Sequence, residues 1–388
     1  MQRSFYSLVA SGTVLIACCY GFARFGYGLF TPVLAEEFGL GSALVGAMAA
    51  GGYVGYCVAI AVSAGLTGRF GPRPVAIGAG AVAAAGMTVV ALAPTAWLLA
   101  AGVLVAGTST GIASPPLAEA ISQRMSGAVA DRAQTIVNAG TGIGVLISGP
   151  IAFALFDQWR LAWGLYAGLA VAATAWVAVS VDGASTSTAR MAPDNRWRPG
   201  TAALAAASAL TGLGSIAVWS FGRDLISTAG ASLAVASLAW TVLGAAGIAG
   251  ALGGDLVNRI GLRRAWVVAT LAMSGATALL ALAPSHLFAI VLSVSIFGAA
   301  YIGLTGLLLV WSTQVYPDST SFGVGLSFFM LAIGQAVGAP AAGALIDTHG
   351  ATTAFVLFAS VGAGAALVRS DRTLVASGGV RRSGRRSG

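Results

Sequence analysis

A short phrase occurs twice in this chain, about half a chain length apart. Leu66–Arg73 reads LTGRFGPR, and Leu256–Arg263 reads LVNRIGLR, 190 residues later (66 to 256) in a chain of 388. Each copy lies between two long apolar stretches. A repeated Arg-x-Gly-x-Arg turn at this spacing indicates two copies of one membrane unit, an arrangement that is typical of proteins that move solutes.

The composition indicates that most of the protein surface faces lipid. Hydrophobic residues make up 57% of the chain and charged residues 8%, whereas a soluble domain carries about 25% charged residues. The net charge of +8 is scattered between apolar segments, so nucleic acid is not an expected partner. We therefore expect an integral membrane protein whose loop charges set its topology.

Three residue types exclude whole classes of mechanism. All 20 basic residues are arginine, and a chain without lysine can form neither a P-loop nor a Schiff base, so a transport ATPase is not expected. The 12 acidic residues are spread singly without a catalytic cluster, so no enzyme is expected either. Cys18, Cys19 and Cys57 lie inside apolar segments without metal-ligand spacing, and only two histidines are present. No disulfide, metal site or bound cofactor is therefore predicted.

Twelve apolar stretches are long enough to cross a bilayer, which takes about 20 helical residues. We predict one six-helix bundle at 1–181 and another at 201–368, with a polar linker at 182–200 and a basic, disordered tail at 369–388. The expected spans are 9–33, 42–66, 74–94, 96–122, 134–156, 160–181, 201–226, 231–257, 264–283, 286–313, 321–346 and 352–368.

The arginines favour one orientation in the membrane. With a cytoplasmic N-terminus and alternating spans, every arginine except Arg24, Arg160 and Arg223 falls in the cytoplasm, which is 17 of the 20. This is the distribution that the positive-inside rule requires. We therefore predict a multi-pass protein of the cell inner membrane, with both termini cytoplasmic and the basic tail in contact with anionic lipid.

The repeated phrase carries a resemblance to a known family. The chain resembles the major facilitator superfamily over essentially its whole length, and both loops are similar to that family's signature G-x-L-a-D-R-x-G-R-R, which follows spans two and eight. The matching residues are Leu66, Arg69, Gly71 and Arg73 in the first copy and Gly254, Leu256, Arg259, Gly261 and Arg263 in the second. The resemblance implies a monomeric, all-α integral membrane fold with 12 transmembrane helices in two pseudo-symmetric six-helix bundles.

Both copies depart from the signature at its acidic position, where Gly68 and Asn258 stand. In the family this carboxylate helps to hold the cytoplasmic ends of the helices together, so that contact is expected to differ here. Glycine permits a tight turn, and the arginines are expected to meet helix C-termini and lipid headgroups. The phrase therefore predicts a conformational motif at the cytoplasmic face.

Glycine and proline patterns in spans five and eleven bear on direction and packing. Span five contains Gly140 and Gly144 followed by Gly149 and Pro150, which partly resembles the family's signature of efflux antiporters. The comparable residues of span eleven are Gly334, Gly338 and Pro340. The resemblance favours export, although the family's arginine of span four is absent. Small residues at this spacing also allow close helix packing without any role in transport.

Arg24 is the strongest candidate for a solute contact. It shares a helical face of span one with Tyr20 and Tyr27, as the spacings of four and three residues require. An arginine stays charged at any relevant pH and offers a planar fork suited to a carboxylate or phosphate. A structural ion pair, or a side chain reaching toward the outer interface, remains open as an alternative.

Glu119 lies near the cytoplasmic end of span four and is the leading candidate for proton coupling. An interfacial pairing with Arg124 or Arg69 is the alternative. Just before it, Pro115 and Pro116 remove two amide donors, and we expect them to break the helix, either at a gating bend or as a structural kink. Irregular backbone at this depth is tolerated where it is buried in protein or lines a cavity.

Further polar and aromatic residues could line a cavity or join helices. These candidates are Asn138, Thr141, Trp219, Tyr301 and Gln335. Taken together, the sequence predicts secondary active transport of a small organic solute by alternating access, coupled to the proton gradient and directed outward. Two alternatives remain open: an importer or uniporter of an organic anion centred on Arg24, and a non-transporting membrane sensor.

Overall fold

The computed structural model describes residues 2–40, 42–181 and 197–369, so most of the predicted linker and tail lies outside the described residues. The described part is helical and contains no strand. Its helices, numbered by span, are α1 (Gln2–Ile16, the π-helical Ala17–Arg24 and Gly26–Phe38), α2 (Ser42–Phe70), α3 (Pro72–Ala91), α4 (Ala96–Arg124), α5 (Gly127–Ala154), α6 (Trp159–Ser180), α7 (Thr201–Thr228), α8 (Leu233–Gly247, the 3-10 turn Ile248–Leu252 and Gly253–Ile260), α9 (Leu262–Leu282), α10 (Leu287–Val315), α11 (Thr320–His349) and α12 (Ala351–Gly364, ending in the 3-10 turn Ala365–Leu367).

The helices have the length and composition of a membrane bundle. In the described residues, eleven stretches are long and apolar enough to cross a bilayer, and Ala351–Leu367 forms a shorter apolar helix. Each of the twelve expected spans corresponds to one of the helices α1 to α12. The predicted all-α class is therefore confirmed.

Glycine makes the turn in both copies of the repeated phrase, as the sequence predicts. Gly71 has φ +83° and Gly261 has φ +81°, a left-handed conformation that glycine adopts without the steric cost of a Cβ. Each glycine ends one long helix and begins the next. We call the membrane face that carries these two turns the signature end, and the other face the opposite end.

The π-helical segment of α1 coincides with a close approach of two backbones. A Cβ on Gly21 would overlap the backbone of Gly144 in α5, and a Cβ on Gly144 would overlap that of Ala17. Two glycines of the span-five pattern, Gly140 and Gly144, therefore pack α5 against α1. A π-helical turn holds more residues than an α-helical turn and often marks a functional site, and this one ends at Arg24.

Helix α4 does not break at its two prolines, so the expected interruption is wrong. Pro115 and Pro116 lie inside the continuous helix Ala96–Arg124. Proline deprives the carbonyl four residues earlier of its amide partner, and the freed carbonyl of Ile112 accepts a hydrogen bond of 2.8 Å from the Ser63 hydroxyl of α2. This replacement bond lets the helix continue through the prolines. Pro150 and Pro340 likewise lie inside α5 and α11.

Two apolar cores occupy the two parts of the chain, and each includes side chains from the other part. The first core contains mainly residues of α1 to α6, together with Phe328 and Ala332 of α11. The second contains mainly residues of α7 to α12, together with Ala139 and Val145 of α5. We refer to α1–α6 and α7–α12 as the two halves. They therefore meet largely through α5 and α11.

Hydrogen bonds around Glu37 and Arg160 join α1, α6 and the turn after α3 at the opposite end of the first half. Glu37 of α1 accepts hydrogen bonds of 2.6 Å from Arg160 and from the indole of Trp159, both at the start of α6. Arg160 also donates to the carbonyl of Ala93, at 3.0 Å. Burial acts to raise the pKa of Glu37, but the hydrogen bonds and the charge of Arg160 outweigh it, and the pKa is lowered.

Candidate functional site

A small cavity lies between the two halves. Its volume is about 10 Å³, which is close to what one water molecule requires. It is lined by α1, α2 and α5 of the first half and by α10 and α11 of the second. The lining residues are Tyr20, Arg24, Phe25, Tyr56, Asn138, Thr141, Tyr301, Thr305, Phe328 and Leu331. In this conformation the cavity around Arg24 is too small to hold an organic solute.

Arg24 is held by neutral partners from both halves. Its Nη2 donates to Oε1 of Gln335 in α11 at 2.9 Å. The guanidinium carbon lies 4.9 Å from the ring centroids of both Tyr53 and Tyr56, and 5.4 Å from that of Phe25. A charge at the centre of a membrane helix costs about 2.5–3.5 kcal/mol on insertion scales, and contact with aromatic faces returns part of that cost. Among the described residues the cation is therefore stabilised by neutral groups and forms no ion pair.

Hydrogen bonds join the cavity residues across the interface between the halves. Asn138 of α5 donates its Nδ2 to the carbonyl of Ile302, at 3.0 Å, and to Thr305, at 2.8 Å, both in α10. Within the second half, Gln335 of α11, which also accepts from Arg24 across the interface, donates to the Tyr301 hydroxyl of α10 at 3.1 Å. Because such bonds fix the distance between the helices, they hold the cavity in its closed form.

The remaining predicted residues are divided between the cavity lining, its wall and the protein interior. Tyr20 lines the cavity, where its hydroxyl lies 2.9 Å from that of Ser114. Trp219 stacks on Phe25 at 4.4 Å and forms part of the wall. Tyr27 does not line the cavity, and its hydroxyl lies on Met48 of α2. The π-helical segment changes the register after Arg24, so a 3.6-residue period does not hold there.

The sequence prediction missed the contribution of α2. Tyr53 and Tyr56 both face Arg24, and Tyr56 is 1% exposed. Their spacing of three residues places them on one helical face, which was the available signal. The Tyr56 hydroxyl is buried in the cavity lining, next to that of Tyr20.

Glu119 lies at the signature end, between the halves. Its Oε2 accepts a 3.0 Å hydrogen bond from the backbone amide of Ser321, in the first turn of α11. Its Oε1 accepts one from Gln123 at 3.3 Å. A carboxylate is favourable at a helix N-terminus, where the amides lack partners and the dipole is positive. Glu119 therefore ties α4 to α11.

A second contact closes the signature end between α5 and α8. Arg132 and Asp255 form an ion pair at 3.4 Å. One turn further along α5, the buried Thr135 hydroxyl accepts from the amide of Gly254, at 3.2 Å, and donates to the carbonyl of Ala251, at 2.9 Å. Asp255 stands three residues before Asn258, so an acid is present near the signature's acidic position although not at it.

The arginines of the phrase differ in what they contact. Arg263 donates to the carbonyl of Val368, at the end of α12, which is the expected contact with a helix C-terminus. Arg69 lies over the ring of Phe70, at 5.2 Å. Arg69, Asn258 and Arg259 are exposed. Within the described residues there is no group of three His, Cys, Asp or Glu side chains that could hold a metal ion.

Comparisons with known proteins agree with this architecture. A family model described as "Uncharacterised MFS-type transporter YbfB" matches residues 16–370. A solved structure, that of the major facilitator superfamily proton:xylose symporter XylE bound to 6-bromo-6-deoxy-D-glucose, is similar with a TM-score of 0.75 and 15% identity, over 94% of this chain and 95% of that chain. At that identity the similarity shows the fold alone. No curated protein matches the chain.

The family match covers most of the chain, including both copies of the phrase and all cavity residues. It agrees with the helical fold and with a cavity between two halves. The protein therefore belongs to the MFS-type transporter family that this model describes, within the major facilitator superfamily of secondary transporters.

Proposed function

We propose that this protein exports a small organic solute by alternating access, coupled to the proton gradient. The observation that supports this most directly is the closed cavity between the halves, which polar and aromatic side chains from both halves line. In this scheme residues 1–181 and 201–368 move as two bundles about the cavity, and the linker 182–200 spans them. The protein acts as a monomer in the cell inner membrane, with both termini cytoplasmic and with lipid around it.

Opening on either side requires that contacts between the halves separate. At the signature end these are the bond from Ser321 to Glu119 and the pair of Arg132 with Asp255. Toward the opposite end, Phe25 stacks on Trp219, and Arg223 donates to the carbonyl of Gly28 at 3.3 Å. Both sets are weak individually, as a gate that cycles requires.

Glu119 is our candidate for coupling to protons. Its carboxylate is partly exposed and accepts from the first turn of α11 across the interface between the halves. Protonation removes the negative charge that the helix N-terminus attracts, which weakens the closure of the signature end. In the proposed orientation this end faces the cytoplasm, so the proton would be exchanged on that side.

Outward transport is the finer part of the proposal. It is supported by the partial resemblance of span five to efflux antiporters, in the run from Gly140 to Pro150. The same glycines pack α5 against α1, where a Cβ on Gly140 would overlap the carbonyl of Thr13. The packing role and the family pattern therefore rest on the same residues.

The test is transport by purified protein in liposomes. A panel of drugs, sugars, amines and organic acids is offered with and without a pH gradient, for the wild type and for Glu119→Gln. In the wild type we expect flux of one solute class that depends on the pH gradient. In Glu119→Gln we expect that flux to lose its dependence on the gradient. Gradient-independent flux would contradict proton coupling, and flux unchanged by Glu119→Gln would remove that residue from the mechanism.

A second candidate function is import or facilitated diffusion of an organic anion, and the charge of Arg24, which meets no acidic side chain in the described part of the chain, favours it. It predicts that Arg24→Ala abolishes anion flux whereas Glu119→Gln leaves proton-independent exchange intact. The same liposome assay separates it from the proposed export, because flux of this kind continues without a pH gradient whereas proton-coupled export requires one.

A further inference from the structure

No acidic residue of the described chain balances the charge of Arg24. No acidic residue lines the cavity, and the contacts of the guanidinium are an amide oxygen and three aromatic rings. The described acids lie near helix ends, in loops or on the helix turns that border them. They are Glu36, Glu37, Glu119, Asp131, Asp157, Asp224, Asp255, Asp318 and Asp347. A cation in a low-dielectric site without an anionic partner favours an anionic ligand.

Arg24 keeps donors for such a ligand. A guanidinium has five N–H donors, and its hydrogen bond within the described residues uses one of them on Gln335. The remaining fork can bind both oxygens of a carboxylate. The Gln335 amide oxygen occupies a position that a ligand oxygen could take, and the buried hydroxyl of Tyr56 lines the same cavity, where it can act as a second donor.

The cavity has one positive charge, which limits the charge of the ligand. Arg24 is its sole cationic lining residue. A dicarboxylate or a doubly charged phosphate would bring a second negative charge into a site with no cation to meet it, and an unpaired buried charge is costly. The balance therefore favours a ligand that carries a single negative charge.

The rest of the lining is suited to an apolar body. Tyr20, Phe25, Tyr56, Tyr301 and Phe328 contribute rings around the cavity. Sites of this composition bind ligands by apolar contact and use a few polar groups for orientation. The closed volume of about 10 Å³ means that the halves must separate to admit the ligand.

We infer that this cavity binds a small organic monocarboxylate, whose carboxylate takes the place of the Gln335 amide oxygen on Arg24 while its apolar body lies among the aromatic rings. The inference rests on the proposed transport function and names the substrate class of the same site. It makes Arg24 the residue that selects carboxylates and Tyr56 a second hydrogen-bond donor to them.

The experiment measures binding and flux with matched probes. Benzoate and butyrate are the carboxylates, benzamide and benzylamine are the neutral and cationic counterparts of benzoate, and phthalate is the dianion. Binding is followed by the thermal stabilisation of the purified protein, and flux by uptake into liposomes. In the wild type we expect the two monocarboxylates to bind at least about tenfold more tightly than the other probes.

Variants separate the role of Arg24 from a general effect of charge. Arg24→Gln is expected to weaken carboxylate binding about 10- to 100-fold, since it removes a charge-assisted bond, and Arg24→Lys less, because it keeps the charge without the fork. Arg264→Gln removes the same charge from an exposed position on α9 and should leave binding unchanged. Gln335→Leu removes the competing acceptor, so carboxylate binding should be at least as strong as in the wild type.

The outcomes distinguish this inference from the proposed function. Equal binding of benzamide or benzylamine, tighter binding of phthalate, or carboxylate binding unaffected by Arg24→Gln would overturn the monocarboxylate assignment while transport stands. The wild-type probe series decides this even if an Arg24 variant does not fold. Flux of none of the solutes in the broad panel would instead remove the proposed function.

Discussion

The two copies of the repeated phrase have the same turn but different ties to the other half of the protein. Gly71 and Gly261 have φ values of +83° and +81°, and an arginine stands two residues before and two after each glycine. In the second copy, Asp255 and Gly254 of the preceding helix contact α5. In the first copy the neighbouring helix α2 lacks an acid at the corresponding position, which is Gly65.

Near the first copy, the contact between the halves is made by a residue outside the phrase. The N-terminus of α11, which packs against α2, is held by Glu119 of α4. The ends of the last helices differ in the same way. Arg124 of α4 donates to the carbonyl of Ser180 at 3.2 Å at the end of α6, whereas Arg263 of the phrase itself reaches the end of α12.

This difference shows which part of the motif carries which property. Backbone geometry is duplicated, because a turn between two antiparallel helices needs a left-handed residue in both halves. Electrostatic contacts are not duplicated, because any nearby side chain of the right charge can satisfy a helix terminus. The closure of the signature end is therefore asymmetric, and three sets of variants test that asymmetry.

The largest effect is expected for Gly254→Ala. A Cβ there would stand 2.7 Å from the Arg132 Cα and 2.8 Å from the Asp131 carbonyl oxygen, and backbone atoms cannot rotate away. Overpacking of this kind costs about 1–3 kcal/mol, which shifts the equilibrium toward an open signature end by about 5- to 150-fold. Spin labels are attached at Ser126 and Asn258, which are both exposed. Double electron–electron resonance then measures the distance between the two labels, which increases when the signature end opens.

Gly65→Ala is the matched control, because a Cβ at Gly65 meets nothing within 4 Å. It should leave the distance distribution unchanged and should slightly stabilise α2 through higher helix propensity. Equal opening in both variants would show that the two copies close in the same way, contrary to the structure.

An intermediate effect, equal in the two copies, is expected for Gly71→Ala and Gly261→Ala. A side chain in the left-handed region costs about 1–2 kcal/mol. The backbone at either position cannot move to negative φ without displacing the two helices that the turn joins. The midpoint temperature of thermal unfolding in detergent should therefore fall by similar amounts in the two variants. A loss in one variant alone would break the similarity of the two turns.

The smallest effects are expected for Glu119→Gln and Asp255→Asn, and they should differ in magnitude and in salt dependence. A carboxylate at a helix N-terminus contributes about 0.3–1 kcal/mol, or up to about 2 kcal/mol when partly buried. The pair of Arg132 with Asp255 is exposed, at 62% and 32% for the two side chains, and such pairs contribute about 0–1 kcal/mol and are screened by salt.

The same spin labels measure these two variants at low and high salt. Glu119→Gln should open the signature end more than Asp255→Asn does, and the effect of Asp255→Asn should disappear in high salt. A larger effect of Asp255→Asn at every salt concentration would reverse the assignment of the main tie.

Much of the site was predictable one helix at a time, but not between helices. Tyr20 and Arg24 share a face of one helix, and the structure places both on the cavity. The partner of Arg24 is Gln335, 311 residues away, and the partner of Glu119 is a backbone amide with no side-chain signature. Tyr27 lies off the predicted face because a π-helical segment alters the periodicity of α1. That segment accompanies a backbone contact between Gly21 and Gly144, which belong to different helices, so the sequence of α1 alone does not reveal it.

The sequence by itself determined the class of protein, the number of helices, the turns and the one arginine at cavity depth. These properties depend on local composition and periodicity, since about 20 apolar residues must form a helix in lipid and a left-handed turn calls for glycine. The tertiary structure alone decided which groups surround Arg24, that α4 continues through its prolines and which acid ties each pair of helices. Those depend on distances between segments far apart in the chain, where packing and hydrogen bonding select among many partners of similar chemistry.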